Sequence, residues 1–369
     1  MRPSRLVLVL LATILCAVAA GAFRPAAIAR NGSVVMVGQM REPRSGHTAT
    51  LLPDGKVLIA GGMRRNQDFY QSAELYDPRT EAFQPTGEMN ERRVSPVAVL
   101  LRSGQVLVAG GWIGHGCTNS AELYEPATGK FTLLSIKMTA VRGDARGTML
   151  ESGDVLITGG ADHDSPGGVA WAEIFHPATM SFETVPSMHY GRVSHTMTLL
   201  RDGRVLIVGG RGDKVNAIAE IYDPKTRRFS ETGRLIAPRY KHTAGLLADG
   251  RVLIAGGSDE RDWSGTLNST EIYDPKTGRF SAGPTLNESR FKLPEDAVQL
   301  PSGRLLIAGG GKDVEIFDPA SGNFRLASGQ ISDNWHFMTE TRLKDGSVLL
   351  AGGYPNNDRA TADAWIYRP

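Results

Sequence analysis

The sequence has 369 residues, and its 41 lysines and arginines against 39 aspartates and glutamates give a formal net charge of +2. Both signs are spread along the chain without a basic run, which argues against a nucleic-acid partner. The two cysteines are Cys16 and Cys117, so loss of an amino-terminal segment would leave Cys117 without a disulfide partner.

The first residues have the organisation of a secretory signal peptide. Arg2 and Arg5 precede an apolar run over residues 6–20, and small residues follow it. We predict a signal peptide over residues 1–22, and therefore a secreted or periplasmic location. The apolar run is short for a spanning helix, so we expect membrane association only if this segment is not cleaved.

A unit of about fifty residues recurs seven times in the rest of the chain. Each unit contains a hydrophobic strand that ends in two adjacent glycines. A tight-turn signal, Asp-Gly or Ser-Gly, stands before that strand and predicts a hairpin with the strand preceding it. The glycine pairs begin at Gly61, Gly110, Gly159, Gly209, Gly256, Gly309 and Gly352.

Each unit then continues with two more strands. A segment such as Glu74-Leu75-Tyr76 follows the glycine pair, and a proline two residues later ends it. An aromatic residue five positions beyond the proline, such as Phe83, opens a fourth, outer strand. Four antiparallel strands per unit predict an all-β, seven-bladed β-propeller.

The seventh unit ends at residues 364–369, before any outer strand. Counting back from Met40 places Val34 in the missing aromatic position, so residues 33–37 are predicted to complete the last blade and close the ring. The predicted propeller spans residues 33–369. Its predicted blades are 44–88, 93–137, 142–187, 192–234, 239–285, 290–330 and 335–369, the last completed by 33–37.

These motifs make the chain resemble bacterial-type kelch-repeat propellers of the galactose oxidase and kelch superfamily. The resemblance implies a propeller but no single function, because that superfamily includes adaptors, glycan binders, sugar mutarotases and a copper oxidase. The copper oxidase branch needs a cysteine cross-linked to a tyrosine, a Tyr-His pair and a further histidine. Here Cys117 lies in a loop and the pair is reversed as His189-Tyr190, so we predict no cofactor and no metal.

An arginine before the first strand and a glutamate on the third strand recur together in six units. One hypothesis is a ring of guanidinium groups that binds an anionic ligand at the channel mouth. The alternative, which we favour, is a structural brace in which each arginine crosses the glycine pair to its own glutamate, with Trp335 and Trp365 replacing the pair in unit seven. The arginines are Arg44, Arg93, Arg142, Arg192, Arg239 and Arg290, and the glutamates are Glu74, Glu122, Glu173, Glu220, Glu271 and Glu315.

Recognition is expected in the loops that follow the glycine pairs, since their length varies on an otherwise regular scaffold. These loops carry the candidate ligand-binding residues Trp112, His115, Asp162, His163, Asp164, Trp263 and Tyr354. The aromatic ones either form an exposed rim or fold down over their own blades. First-strand histidines at one repeat position, His47, His195 and His242, are interpreted as structural, with Glu295 at that position in unit six.

Two functions from different classes fit this pattern. The first is a non-catalytic, exported recognition scaffold that binds a glycan or protein through the variable-loop face, and the second is a sugar-active enzyme such as a mutarotase or epimerase. An enzyme requires an acid-base pair beside a shared cavity, which no spacing in the sequence guarantees. Binding by a monomeric scaffold is therefore the leading hypothesis.

Overall fold

The structure is a computed structural model that describes residues 32–162, 167–355 and 359–369. The predicted signal peptide, residues 1–22, lies outside this part of the chain. The described residues form seven four-stranded antiparallel sheets, each with its strands in the up-and-down order that the sequence predicts. No helix among them is long and apolar enough to cross a membrane. The prediction of an all-β, seven-bladed propeller is confirmed.

The seven sheets, called blades 1 to 7, share one strand plan. The first strands are Thr48–Leu51, Val97–Leu100, Arg146–Met149, Thr196–Leu199, Thr243–Leu246, Val298–Gln299 and Thr339–Arg342. The second strands are Val57–Ala60, Val106–Ala109, Val155–Thr158, Val205–Val208, Val252–Ala255, Leu305–Ile307 and Val348–Ala351. The third strands are Ala73–Asp77, Ala121–Glu125, Ala172–His176, Ile218–Asp223, Thr270–Asp274, Glu315–Asp318 and Asp363–Arg368.

The fourth strands are Ala82–Pro85, Lys130–Leu133, Ser181–Val185, Arg228–Arg234, Arg279–Ala282, Asn323–Leu326 and, for blade 7, Ser33–Gln39. Two short strands, Met63–Arg65 and Asp68–Phe69, form a hairpin in the loop of blade 1, and a 3-10 helix, Asp262–Gly265, lies in the loop of blade 5. First strands of successive blades lie against one another, and that of blade 7 lies against that of blade 1, so they surround a central channel.

The ring is closed by the amino-terminal strand, as predicted. Ser33–Gln39 pairs with Asp363–Arg368, and Val34 lies opposite Tyr367. This register matches that of blade 1, where Phe83 lies opposite Tyr76. Val34 therefore occupies the aromatic position of blade 7, and it is buried.

The glycine pairs allow neighbouring blades to approach closely. Gly61 and Gly62 have φ values of +68° and +89°, which glycine adopts without strain. A Cβ on Gly61 would lie 2.4 Å from the carbonyl oxygen of Arg93 in the next blade. The Gly62 N–H donates to that same carbonyl at 2.8 Å, and the corresponding bond recurs between every pair of successive blades, including Gly353 to Arg44.

Each recurrent arginine forms an ion pair with the glutamate of its own blade. Their side chains are buried, and Nη1 of each arginine also donates to the carbonyl of the first glycine, for example Arg93 to Gly110 at 2.8 Å. Fully buried guanidinium groups cannot reach a ligand, so the geometry is that of the brace. The N···O distances are 3.1 Å for Arg44–Glu74, 2.9 Å for Arg93–Glu122, 2.5 Å for Arg142–Glu173, 2.7 Å for Arg192–Glu220, 2.9 Å for Arg239–Glu271 and 3.0 Å for Arg290–Glu315.

The first-strand histidines lie between blades rather than in the channel. Nε2 of His47 lies 3.0 Å from Thr339 Oγ1 of blade 7, and His195 and His242 contact Thr158 and Thr196 in the same way. Burial, helped by the charge of Arg44, lowers the pKa of His47 to about 3, so the ring is neutral. In blade 6 this position holds Leu293, not Glu295 as predicted. Leu293 packs against Gly256 of blade 5, in the same way as His242 packs against Gly209 of blade 4.

Candidate functional site

Seven residues at one repeat position ring the channel mouth on the variable-loop face. Each stands two residues after the recurrent arginine, or after Trp335 in blade 7, and each has a positive φ between 48° and 59°. Non-glycine residues adopt this conformation at a cost, and such positions cluster at functional sites. The mouth residues are Gly46, Ser95, Asp144, Ser194, Lys241, Lys292 and Phe337.

The backbone conformation of the mouth residues links successive blades into a belt of hydrogen bonds. In six of the seven links a backbone N–H donates to a backbone carbonyl of the preceding blade. Between blades 3 and 4 the Ser194 hydroxyl instead donates to the Asp144 carboxylate. The backbone links are Ser95 to Gly46 at 2.7 Å, Asp144 to Ser95 at 3.2 Å, Lys241 to Ser194 at 3.0 Å, Leu293 to Lys241 at 3.2 Å, Phe337 to Lys292 at 2.9 Å and Gly46 to Phe337 at 3.2 Å.

An ion pair spans the channel below the mouth. Arg146 of blade 3 contacts Glu295 of blade 6 at 2.9 Å and also contacts Asp144 at 2.8 Å. Glu295 reaches this far because blade 6 has two extra residues: ten positions separate Arg290 from Leu300, whereas eight separate Arg239 from Leu247 in blade 5. The insertion thus places a carboxylate inside the channel rather than between blades.

Besides Asp144, the acidic residues Glu295, Asp296 and Glu340 line the channel near Arg146. The Glu295 side chain is 44% exposed, but the solvent that it meets is that of a channel enclosed by seven blades. Desolvation in this enclosure raises the pKa of Glu295 to about 7, of Asp296 to about 6 and of Glu340 to about 8, although Arg146 opposes the shift for Glu295 and Asp296. These groups exchange protons near neutral pH.

A cavity of about 670 Å³ opens over the loops of blades 1 to 3. It brings together three of the predicted residues, Trp112, His115 and Asp162, beside Phe69 and the mouth residue Asp144. The indole of Trp112 is held in place because it packs on Gly143, where a Cβ would lie 2.6 Å from Nε1. An aromatic face, an imidazole and carboxylates therefore line one concave surface. The predicted residues His163 and Asp164 lie outside the described part of the chain.

The other two predicted aromatic residues lie together on the opposite side of the mouth. Trp263 is 46% exposed, whereas Tyr354 is buried at 8% and so folds down over its blade. Lys292 connects them, because its Nζ lies 3.8 Å from the ring centre of Trp263 and donates to the Tyr354 hydroxyl at 2.6 Å. The mouth residue Phe337 lies beside this lysine and also lines the cavity of blades 1 to 3.

Sequence reasoning missed the mouth residues and the channel acids. The mouth position carries no common residue type, so nothing in the pattern marks it except its fixed place after the arginine. Counting back from the glycine pair puts Glu295 at the histidine position, because that count does not register the two extra residues between Arg290 and Leu300.

Comparison with known proteins supports the fold. A kelch-motif family model matches residues 93–138 and 239–287. A search of curated proteins finds no match. Among solved structures, the chain is similar to a fungal alcohol oxidase, described as one with catalytic diversity among the AA5 family and solved in complex with copper. That match has a TM-score of 0.72 and 16% sequence identity, and it covers 92% of this chain and 76% of the oxidase.

The residues of this chain do not fit a copper site of that kind. Cys117 is buried in the loop of blade 2, where desolvation raises the pKa of its thiol to about 11, and its backbone forms a β-bridge with Trp112. The first-strand histidines contact threonines between blades. Within the described ranges, no group of three or more His, Cys, Asp or Glu residues is arranged to hold a metal ion.

The likeness to the oxidase is therefore one of fold, carried by seven four-stranded blades and by kelch motifs in blades 2 and 5. The chain is a seven-bladed β-propeller that carries kelch motifs in blades 2 and 5.

Proposed function

We propose that the protein is an exported, non-catalytic recognition scaffold that binds a glycan at the channel mouth. Kelch propellers serve generally as scaffolds for binding a protein or ligand, and the variable loops are the part of the fold that can differ between ligands. Export rests on the predicted signal peptide over residues 1–22. We expect the exported chain to act as a monomer.

The observation that carries the proposal is the 670 Å³ cavity over blades 1 to 3. Its size lies in the range of small-molecule sites, and it combines apolar faces with a few convergent polar groups, as such sites do. Trp112 supplies a rigid ring face on which a sugar can stack, and Asp162 and His115 supply partners for hydroxyl groups. A glycan needs both kinds of contact.

The test is a glycan array with the purified mature chain, followed by titration of the bound glycan. Replacing Trp112→Ala removes the stacking face, and we expect affinity to fall about tenfold or more. Trp171→Ala is the matched control. Trp171 is likewise a tryptophan on a loop of the variable-loop face and is 43% exposed, but it does not line the cavity. Equal affinity of the Trp112 variant and its control would refute the proposal.

A second candidate is the sugar-active enzyme, favoured by the channel acids. Glu295, with a pKa of about 7, lies 2.9 Å from Arg146 and can donate or accept a proton at neutral pH. The cavity over the loops and the narrower channel below it share Asp144, so a sugar in the first could approach the second.

The enzyme candidate is tested by measuring anomer exchange of a panel of reducing sugars by NMR. Catalysis by Glu295 predicts acceleration by the wild-type chain and a fall of about a hundredfold in Glu295→Gln. Glu340→Gln is the control, because Glu340 lines the same channel but accepts a hydrogen bond from the Ala308 N–H. No acceleration by the wild-type chain would exclude this candidate and leave the recognition scaffold.

A further inference from the structure

The mouth carries a second cluster of side chains, on blades 4 to 7, which shares only Phe337 with the lining of the cavity over blades 1 to 3. Lys241 Nζ lies 4.7 Å from the ring centre of Tyr240 and 5.1 Å from that of Phe291. Lys292 Nζ lies 5.3 Å from the same Phe291 ring, and both ammonium groups lie within 6 Å of Phe337, at 5.9 Å and 5.7 Å. Two neighbouring mouth residues thus hold their charges in one aromatic enclosure.

A third cation borders this enclosure. The guanidinium of Arg211, on the loop of blade 4, lies 5.8 Å from the ring centre of Tyr240, and its charge lowers the pKa of Lys241, as the larger effect of desolvation also does. Asp262 is the carboxylate beside Lys241, at 3.9 Å, and it also accepts a hydrogen bond from the Tyr240 hydroxyl. The carboxylate of Asp144 also acts on Lys241, but it forms an ion pair with Arg146, so the charges of Lys241 and Arg211 are offset only in part.

Lys241 is placed to meet a ligand. Its side chain is 21% exposed, so the ammonium is partly dehydrated yet reachable from the mouth. A charge in such a site interacts with an opposite charge more strongly than it would in bulk water. Trp263, 46% exposed, stands beside the cluster and can cover one face of a bound ring.

The mouth is therefore polarised. Its blade 1 to 3 side holds the carboxylates of Asp144 and Asp162, whereas its blade 4 to 6 side holds three cations, Arg211, Lys241 and Lys292, together with the carboxylate of Asp262. A neutral ligand would make no use of this difference, while a ligand with an anionic end would be oriented by it.

We infer that the glycan bound at the mouth is an acidic one, with a sugar carboxylate held against Lys241 and Arg211. The inference rests on the proposed function, because it assumes that a glycan fills the neighbouring cavity. In this arrangement the hydroxyl groups of the glycan lie against Trp112 and Asp162, and its uronate end lies over blades 4 to 6 next to Trp263.

The test compares oligosaccharides that differ only in a carboxylate. The mature chain is titrated with β-1,4-linked mannuronate hexamers against β-1,4-linked mannose hexamers, and with α-1,4-linked galacturonate hexamers against α-1,4-linked galactose hexamers. We expect the acidic member of a pair to bind about tenfold more tightly at low salt, and the preference to shrink as salt rises.

Two variants change this preference in opposite directions. Lys241→Gln removes the charge and should abolish the preference, whereas Asp262→Asn removes the competing carboxylate and should increase it. Lys225→Gln is the control for net charge, because Lys225 lies on the turn between the third and fourth strands of blade 4, at the far face of the propeller.

The outcomes separate the inference from the proposed function. Equal binding of both members of each pair, or equal effects of Lys241→Gln and Lys225→Gln, would overturn the acidic ligand while leaving a glycan site that Trp112→Ala weakens. Binding of none of the four oligomers would overturn the inference together with the glycan site. A preference lost in Lys241→Gln and raised in Asp262→Asn supports it.

Discussion

Blade 7 and blades 1 to 6 solve one packing problem with opposite chemistry. In blade 2 the space across the glycine pair holds Arg93 and Glu122, both buried and charged. In blade 7 the same space holds Trp335 and Trp365, whose ring centres lie 6.1 Å apart. The backbone is equivalent in both, since the Gly353 N–H donates to the Arg44 carbonyl as Gly62 does to Arg93. The fold needs the space filled, and it accepts either an ion pair or two rings.

The two solutions differ in what they connect. Glu122 accepts hydrogen bonds from Arg93 and from the backbone N–H of Asn90, so it ties the link between blades to the blade interior. The tryptophan pair offers no acceptor, and the Trp335 indole N–H is buried without a hydrogen-bond partner in the described residues. The ion pair therefore organises the polypeptide around it, whereas the rings contribute packing alone.

Breaking one ion pair should have the largest effect. Glu122→Gln leaves the buried guanidinium of Arg93 with only the more distant and partly exposed carboxylate of Glu91, at 3.6 Å, and we expect the free energy of unfolding to fall by about 3 kcal/mol. Chemical denaturation measures it. Glu151→Gln, an exposed glutamate on a turn of blade 3, should change stability little. A stable Glu122 variant would mean that the arginine charge is not buried in solution.

Transplanting the blade 7 solution sharpens the comparison. The double replacement Arg93→Trp with Glu122→Trp removes both charges at once, so we expect it to be less destabilised than Glu122→Gln alone, by about 1 kcal/mol or more. The same denaturation series measures the difference. A double variant that is less stable than the single one would show that blade 2 cannot accommodate two indoles.

The histidine position gives a smaller, pH-dependent contrast, because blade 7 has Met338 where blade 1 has His47. His47 has a pKa of about 3 when folded and about 6.5 when unfolded, so the unfolded chain binds the extra proton between these values. Its stabilising effect is complete above pH 6.5 and is lost as pH falls. His47→Met should therefore regain about 2 kcal/mol relative to wild type between pH 6.5 and 5.

The effect of His47 is measured as the difference in unfolding free energy between the wild-type chain and the His47→Met variant. Glu295, Asp296 and Glu340 have raised pKa values, so their contribution is largest below the unfolded pKa and is lost as pH rises through about 6 to 8. That opposite trend is common to wild type and variant and cancels. If the stabilities of the wild-type chain and of His47→Met change in parallel with pH, the low pKa of His47 is contradicted.

The smallest effect is expected from filling the aromatic position of blade 7. The Tyr76 and Phe83 rings of blade 1 lie 4.9 Å apart, whereas Tyr367 faces Val34. Val34→Phe should raise the free energy of unfolding by about 0.5–1.5 kcal/mol through the added aromatic pair. Val35→Phe is the control, since Val35 is 40% exposed. Destabilisation by Val34→Phe would show that blade 7 has no room for the ring.

The sequence was sufficient for the fold because the fold is periodic. The glycine pair and the turn before it recur in all seven units, and the glutamate of the third strand recurs in six, so each weak local signal is reinforced by its repetition. The same counting predicts that Val34 belongs to blade 7, although its strand partner Tyr367 lies at the other end of the chain. Periodicity transmits long-range pairing that local propensity cannot.

The site was less predictable because function breaks the period. Trp112 and Trp263 were found since aromatic residues in variable loops are conspicuous. Lys241 and Asp144 were not, because residues at the mouth position share a backbone conformation rather than a chemistry. Glu295 depends on a two-residue insertion, and only three-dimensional contacts show that it crosses the channel to Arg146.

The belt of hydrogen bonds at the mouth limits how this protein can acquire a new specificity. Because all of its links except the one between blades 3 and 4 engage main-chain donors and acceptors, we expect a ligand to be recognised chiefly by the side chains of the mouth residues. Those side chains can be exchanged without rebuilding the scaffold, provided that each tolerates a left-handed backbone. Single substitutions at the seven mouth positions can therefore change the specificity of the protein, and β-branched residues are the least favourable there because they disfavour a positive φ.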